Sequence, residues 1–173
     1  VIDGVYEPTH EHINNTLDET KLLARLVEDL QTLSLAETGQ LPLHPTRFLL
    51  ADLTDDLTSS FSAQAASQGL DLTVQNADPD QTITADYDRL NQVLTNLMSN
   101  AIKFSDRGSA VEVRTRFLPG AESVLGGDSY EIVVADQGPG IEAADQERIF
   151  EPFRQLATRG ETVPGTGLGL SIA

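Results

Sequence analysis

Asn96, Asn100 and Lys103 stand at i, i+4 and i+7 in the stretch NQVLTNLMSNAIKFS. On a helix that spacing places all three on one face. Two carboxamides and an ammonium there suit a magnesium-bound polyphosphate. The Asn amide oxygen is a hard neutral ligand, Mg2+ is usually held by few protein ligands plus substrate phosphates, and lysine offers a phosphate a point charge. A solvated helix face is the plain alternative. In VVADQGPGI, residues 133–141, Asp136 ends a strand-like run and precedes Gly138 and Gly140. A carboxylate so placed can accept a hydrogen bond from an exocyclic amine such as that of adenine, and the glycines let backbone approach a flat ring. An ordinary turn has the same composition. Finally, GTGLGL at 165–170 leads glycine-rich backbone into a helix start, where free N–H groups can face an anion; the alternative is a flexible loop before a helix. It is not a P-loop, because no Gly-Lys-Ser/Thr follows, nor a dinucleotide fingerprint, because no strand directly precedes it.

The elements that must position these residues follow from periodicity and punctuation. Residues 86–104 form the clearest helix, with Leu90, Val93, Leu94, Leu97, Met98, Ala101 and Ile102 on its apolar face. VEVRTRF (111–117) and YEIVVA (130–135) alternate as strands, joined by a loop, and LDLTV (70–74) does so upstream. Residues 48–68 read as a helix stopped by Gly69, and QERIF as a short helix after the Asp136 loop. Ahead of these, DGVYEPT is a turn, Thr9 an N-cap, and residues 10–36 a long helix. Its apolar stripe (Ile13, Leu17, Leu23, Val27, Leu30 and Leu33, widened by Leu22 and Leu26) suits packing on more than one neighbour, as in a bundle. GQLPLHP (39–45) is a linker with room for a short strand. The expected architecture is an α/β (α+β) two-layer sandwich with mostly antiparallel strands, preceded by part of a helical hairpin; residues 1–38 form the hairpin piece and 39–173 the second domain.

Composition narrows the partners. A net charge of −16 over 173 residues argues against a general nucleic-acid binder, which needs basic surface to displace counterions. Only two lysines occur, Lys21 and Lys103. The absence of cysteine excludes disulfides and thiolate metal sites. No apolar run approaches the roughly 20 residues of a membrane span, and no signal peptide is visible. The sequence opens on Val1 and closes within a motif, so we read it as part of a longer protein.

Taken in order, NQVLTNLMSNAIKFS, DQGPGI, IFEPF and GTGLGL resemble the N, G1, F and G2 boxes of sensor histidine kinases, which share the Bergerat ATP-binding fold with gyrase-type ATPases. TLDETKLLARLVEDLQTLSLAETGQL resembles the second helix of their dimerisation and histidine-phosphotransfer hairpin. The resemblance covers nearly the whole chain and implies ATP and Mg2+ as cofactors, with the catalytic domain incomplete at its C-terminus. It makes Asn100 the magnesium ligand, sets Asn96 near the phosphates, and gives Lys103 a phosphate contact, with Asn96 and Lys103 as the catalytic candidates. Asp136 then reads the adenine amine in a pocket shaped by Gly138, Gly140 and Ile141. Phe150 and Phe153 become lid anchors in an apolar cluster, with Phe150 at the nucleotide pocket, and Arg154 meets phosphate when the lid closes. Residues 154–164 become the ATP lid, and Gly165, Thr166, Gly167, Leu168, Gly169 and Leu170 its hinge and phosphate-facing backbone.

A histidine kinase needs a nucleophilic imidazole. His44 lies in the linker, and His10 and His12 begin the helix that resembles the second one of the hairpin, whereas the phosphoacceptor belongs on the first. The expected nucleophile therefore lies about twenty residues before Val1, an estimate from hairpin geometry. The resemblance further implies a response-regulator receiver domain as partner, a homodimer through the hairpin, a cytoplasmic kinase core and a membrane-anchored parent. Two competing functions are an ATPase of the same fold and a catalytically inactive nucleotide-binding or dimerisation module. The ATPases carry a glutamate general base where Asn96 stands, and asparagine cannot take a proton from water.

Overall fold

The computed structural model describes residues 9–155 and 165–173. Helix α1 (His10–Glu37) starts where Thr9 Oγ1 accepts the His12 N–H at 3.2 Å, and it ends at Thr38 before the left-handed Gly39. Strand β1 (Thr46–Leu49) follows, then α2 (Leu50–Gln68), which is stopped by Gly69 at φ +71°. Next come β2 (Asp71–Asn76), β3 (Thr82–Ala85), α3 (Tyr87–Phe104), β4 (Ala110–Leu118) and β5 (Ser129–Ala135). A 3-10 turn at Arg148–Phe150 and a single-turn helix α4 (Gly169–Ile172) complete the described residues. Here the expected QERIF helix shortens to that 3-10 turn, no strand forms within GQLPLHP (39–45), and β1 instead follows it and takes Phe48 and Leu49 from the start of the expected 48–68 helix. The turn at 3–8 lies outside the described residues.

Two sheets form. β1 and β3 pair antiparallel, and a three-stranded sheet runs in the order β2-β4-β5. β4–β5 is antiparallel, but β2–β4 is parallel, with Leu72 opposite Val111 and Val74 opposite Val113. A parallel pair needs a crossover, and here the crossover contains α3. That topology lays α3 beside the sheet. Leu94, Met98, Ala101 and Ile102 of α3 meet Leu50, Leu53, Leu57, Phe61 and Ala65 of α2 over Val111 and Val113 of β4. This is the layered α/β packing expected from the pattern, with period 3.6 on the helices and period 2 on the strands.

Polar contacts tie the layers. Thr54 and Thr115 are buried, and Asn76 bridges them, donating to Thr54 Oγ1 at 3.0 Å and accepting from Thr115 Oγ1 at 3.1 Å. Tyr87 donates to Asp56 Oδ2 on α2, which pushes its pKa up to about 12, because removing the phenolic proton beside a carboxylate is unfavourable. Asp86 caps α3 through the Arg89 N–H at 3.1 Å and holds the linker through the His44 N–H at 2.7 Å. Those two backbone donors, His44 first, hold the Asp86 carboxyl below the usual range.

The stripe on α1 behaves differently from the core. Ile13, Leu17, Leu22, Leu23 and Val27 are all about half exposed, and Leu23 is the most open at 63%. Thr32, near the C-terminal end of the helix, is buried and receives Arg89 Nη1 from α3 at 3.4 Å. Among the described residues, no helix is long and apolar enough to cross a membrane.

Candidate functional site

The helix face carrying Asn96, Asn100 and Lys103 is half-buried, not an open solvated surface. Part of its cover comes from the glycine-rich run. Asn96 Nδ2 donates to the Gly169 carbonyl at 3.0 Å, which stitches α3 to the start of α4. Lys103 Nζ lies where a Cβ on Gly165 would approach to 2.9 Å, and it also sits 5.1 Å from the Phe104 ring centroid. Burial pushes the Lys103 pKa down, so this ammonium is partly desolvated before any anion reaches it.

At the C-terminal end of α3, the Asp136 loop closes against the helix. Asp136 Oδ1 accepts the Gly138 N–H at 2.8 Å. A Cβ on Gly138 would lie 2.9 Å from the Phe104 carbonyl oxygen and 2.8 Å from Asp136 Oδ1, so only glycine lets the loop lie this close. Asp136 remains solvent-accessible. Gln137 fastens the loop from the other side, accepting the Ala110 N–H at 3.0 Å.

The third meeting point joins the FEPF segment to the glycine run. Gly167 has φ +71°, and a Cβ there would come within 2.6 Å of the Phe153 carbonyl carbon. Phe153 itself takes φ +63°, a left-handed conformation rare for a bulky residue. Gln155 Nε2 donates to the Gly165 carbonyl at 2.6 Å. Arg154 turns inward. Its Nε is buried with no acceptor among the described residues, and Nη2 comes no nearer than 4.0 Å to Asp145 Oδ1. A buried guanidinium N–H without a partner is uncommon, and an anion held at this edge would satisfy it.

The four segments therefore converge around α3, and several residues fall into different settings from those expected. Phe150 and Phe153 are 55% and 61% exposed, so among the described residues they form no buried apolar cluster. Leu168 is fully buried, so its side chain packs, and only its backbone faces the run, the N–H donating to Thr166 Oγ1 at 3.2 Å. Ile141 is exposed, and the space where a Gly140 Cβ would sit is open. Of the lid expected at 154–164, residues 156–164 lie outside the described residues. His10, His12 and His44 are all exposed, and the His44 main chain serves the Asp86 clip. Sequence reasoning passed over Gln155, Asp145 and the Phe104 carbonyl. Their part depends on contacts between distant segments and has no spacing signature.

The family described as histidine kinase-, DNA gyrase B-, and HSP90-like ATPase matches residues 85–173. The virulence sensor protein BvgS of Bordetella bronchiseptica is 34% identical over 170 residues, covering 96% of this chain and 13% of that protein. The Acinetobacter baumannii histidine kinase AdeS superposes with a TM-score of 0.76 at 28% identity, covering 99% of this chain and 74% of that one. Full-length ShkA, solved in complex with AMPPNP, gives 0.75 at 28% identity, covering 96% and 34%. The chain thus spans only about an eighth of the length of its curated relative BvgS.

Proposed function

The chain belongs to the histidine kinase-, DNA gyrase B-, and HSP90-like ATPase family, and from that premise we propose that it is the ATP-binding catalytic part of a sensor histidine kinase. The observation that carries this reading is the convergence around α3. Lys103 and Asn96 meet the Gly165–Gly169 edge, and Asp136 and Gly138 close on Phe104. The donor set fits a nucleotide: an exposed carboxylate for the adenine amine at one end, and cationic and amide groups for the phosphates at the other. Relatives that are themselves named sensor proteins or histidine kinases support it, as does a neighbour solved with an ATP analogue.

In this reading Asp136 accepts the adenine amine, and its own Gly138 bond keeps it oriented. Lys103 and Arg154 face the phosphates, together with backbone N–H groups of residues 165–169. Asn100 contributes an amide oxygen to Mg2+, an ion that arrives largely on the phosphates; among the described residues, no group of three or more His, Cys, Asp or Glu side chains could hold a metal. Bound ATP supplies the γ-phosphoryl group. The protein supplies positioning and charge neutralisation, which dominate this chemistry. The acceptor is a histidine on a helical hairpin, and the phosphoryl group then passes to an aspartate of a response regulator. Asn96, bonded to Gly169, acts as a strut and offers no base to activate water, which favours transfer over hydrolysis. The open stripe on α1 suits a homodimer of hairpins, in a parent anchored to a membrane with this part in the cytoplasm.

Calorimetry with Mg·ATP on wild type and Asp136→Ala tests the site: wild type binds, and the variant loses most of its affinity. Equal binding by the two would remove Asp136 from the adenine role. Incubation with γ-labelled ATP and a histidine-bearing hairpin tests the reaction. Phosphate release without labelled hairpin would instead identify an ATPase.

A further inference from the structure

We propose that Gln155 is a positioning residue that orients the phosphate-facing backbone of the Gly165–Gly169 run. The role rests on the ATP-site reading but on a separate set of contacts. A carbonyl oxygen turned toward a phosphate repels it, whereas an N–H attracts it. In this run the carbonyls of Gly165, Leu168 and Gly169 are each held by a donor. Leu168 O is taken by the Ser171 hydroxyl at 2.8 Å and by the N–H groups of Ser171 and Ile172, and Gly169 O by Asn96. Gly165 O is held by Gln155 at 2.6 Å.

That last bond has a directional consequence. All peptides here are trans, and a trans peptide is planar with its C=O and following N–H antiparallel. Fixing Gly165 C=O toward Gln155 therefore fixes the Thr166 N–H toward the opposite side. The Leu168 N–H is committed within the run, because Thr166 Oγ1 accepts it. Gly165 also borders Lys103 Nζ, so the same peptide sets the spacing between backbone and ammonium. Gln155 and Gly165 are both exposed, so the bond adds little to global stability, and its loss reports on orientation.

The experiment compares Mg·ATP and adenosine binding by wild type, Gln155→Met and Gln155→Glu, with thermal unfolding of each. Methionine keeps the length and removes the donor; glutamate leaves only acceptors beside the Gly165 carbonyl. Gln155→Met should weaken Mg·ATP about 5- to 10-fold, the worth of one orienting hydrogen bond, and Gln155→Glu more. Adenosine affinity and melting temperature should stay at wild-type values. Undiminished Mg·ATP binding by Gln155→Met overturns the role, and so does an equal loss for adenosine, which would mean general disruption. Should wild type itself fail to bind Mg·ATP, the ATP-site reading falls and this role with it; if wild type binds and Asp136→Ala does not, the Gln155 result stands by itself.

Discussion

Replacing Gly167 with alanine separates backbone conformation from packing. An L-residue at φ +71° costs about 1–2 kcal/mol in the left-handed region. At Gly167 a second effect adds to it, because the new Cβ would stand 2.6 Å from the Phe153 carbonyl carbon and 2.9 Å from Arg154 N and O. These are main-chain atoms and cannot swing aside, and Phe153 already sits in a left-handed turn. The two segments must separate, an overpacking cost of about 1–3 kcal/mol. Gly108 provides the control: it has φ +85° and nothing within 4 Å of its would-be Cβ. Urea unfolding should therefore show a loss of about 2–5 kcal/mol for Gly167→Ala and about 1–2 kcal/mol for Gly108→Ala, with unchanged m-values. Only the first should also weaken Mg·ATP, since the shift moves the Gly165–Gly169 edge away from Arg154. Losses equal within about 0.5 kcal/mol would show that the contact at Gly167 relaxes freely and refute the packing argument.

Tyr87 predicts a pH signature. Its folded pKa is raised to about 12 by Asp56, so the stabilisation is complete below the unfolded value near 10 and is lost as pH rises through about 12; denaturant titrations should show that loss in wild type and a shallower one in Tyr87→Phe. On the proposal that α1 carries a homodimer, wild type should dimerise with rising concentration in sedimentation experiments, and glutamates at Leu23 and Val27 should abolish this while leaving the unfolding of the α2–α3 core unchanged; a monomeric wild type or a persistent variant dimer would remove α1 from the interface. With a net charge of −16, self-repulsion weakens the compact state, so the melting temperature should climb between about 0.05 and 0.5 M KCl as screening shortens; a flat response would show that the acidic groups are already compensated.

The α3 pattern was legible because it is local: its apolar stripe lies within one window, and the helix spans Tyr87–Phe104, close to the expected 86–104. β3 was not, since TITA is four residues squeezed between a turn and the α3 cap, and its strand character comes from pairing with β1. Phe48 and Leu49 fit helical spacing in FLLADL and were drawn into β1 by that same pairing. The site divides along similar lines. Residue types at fixed spacing singled out Asn100, Lys103 and Asp136 as candidates, and the structure sets Asn100 and Lys103 on one half-buried face of α3 and leaves Asp136 exposed. The contacts of Gln155 with Gly165 and of Asn96 with Gly169 join segments whose nearness exists only in the folded chain. The exposure of Phe150 and Phe153 likewise has no signature in their residue type, which favours burial.

The Asn96–Gly169 bond spans 73 positions of sequence, and this has a kinetic meaning. Contacts between remote positions form late, because a large loop must close before they contribute. Tight local turns and the α2–α3 packing can assemble with the sheet first, which brings Asp136 to Phe104 at an early stage. On that argument the glycine run is expected to join last, with Leu168 taking its buried seat and Asn96 meeting Gly169. On a ribosome releasing the chain from its N-terminus, the proposed site would thus have its α3 groups and Asp136 in place before the backbone of the glycine run joined them. A nascent chain with the proposed site would gain the backbone share of its preference for ATP over adenosine only after Leu168 emerged.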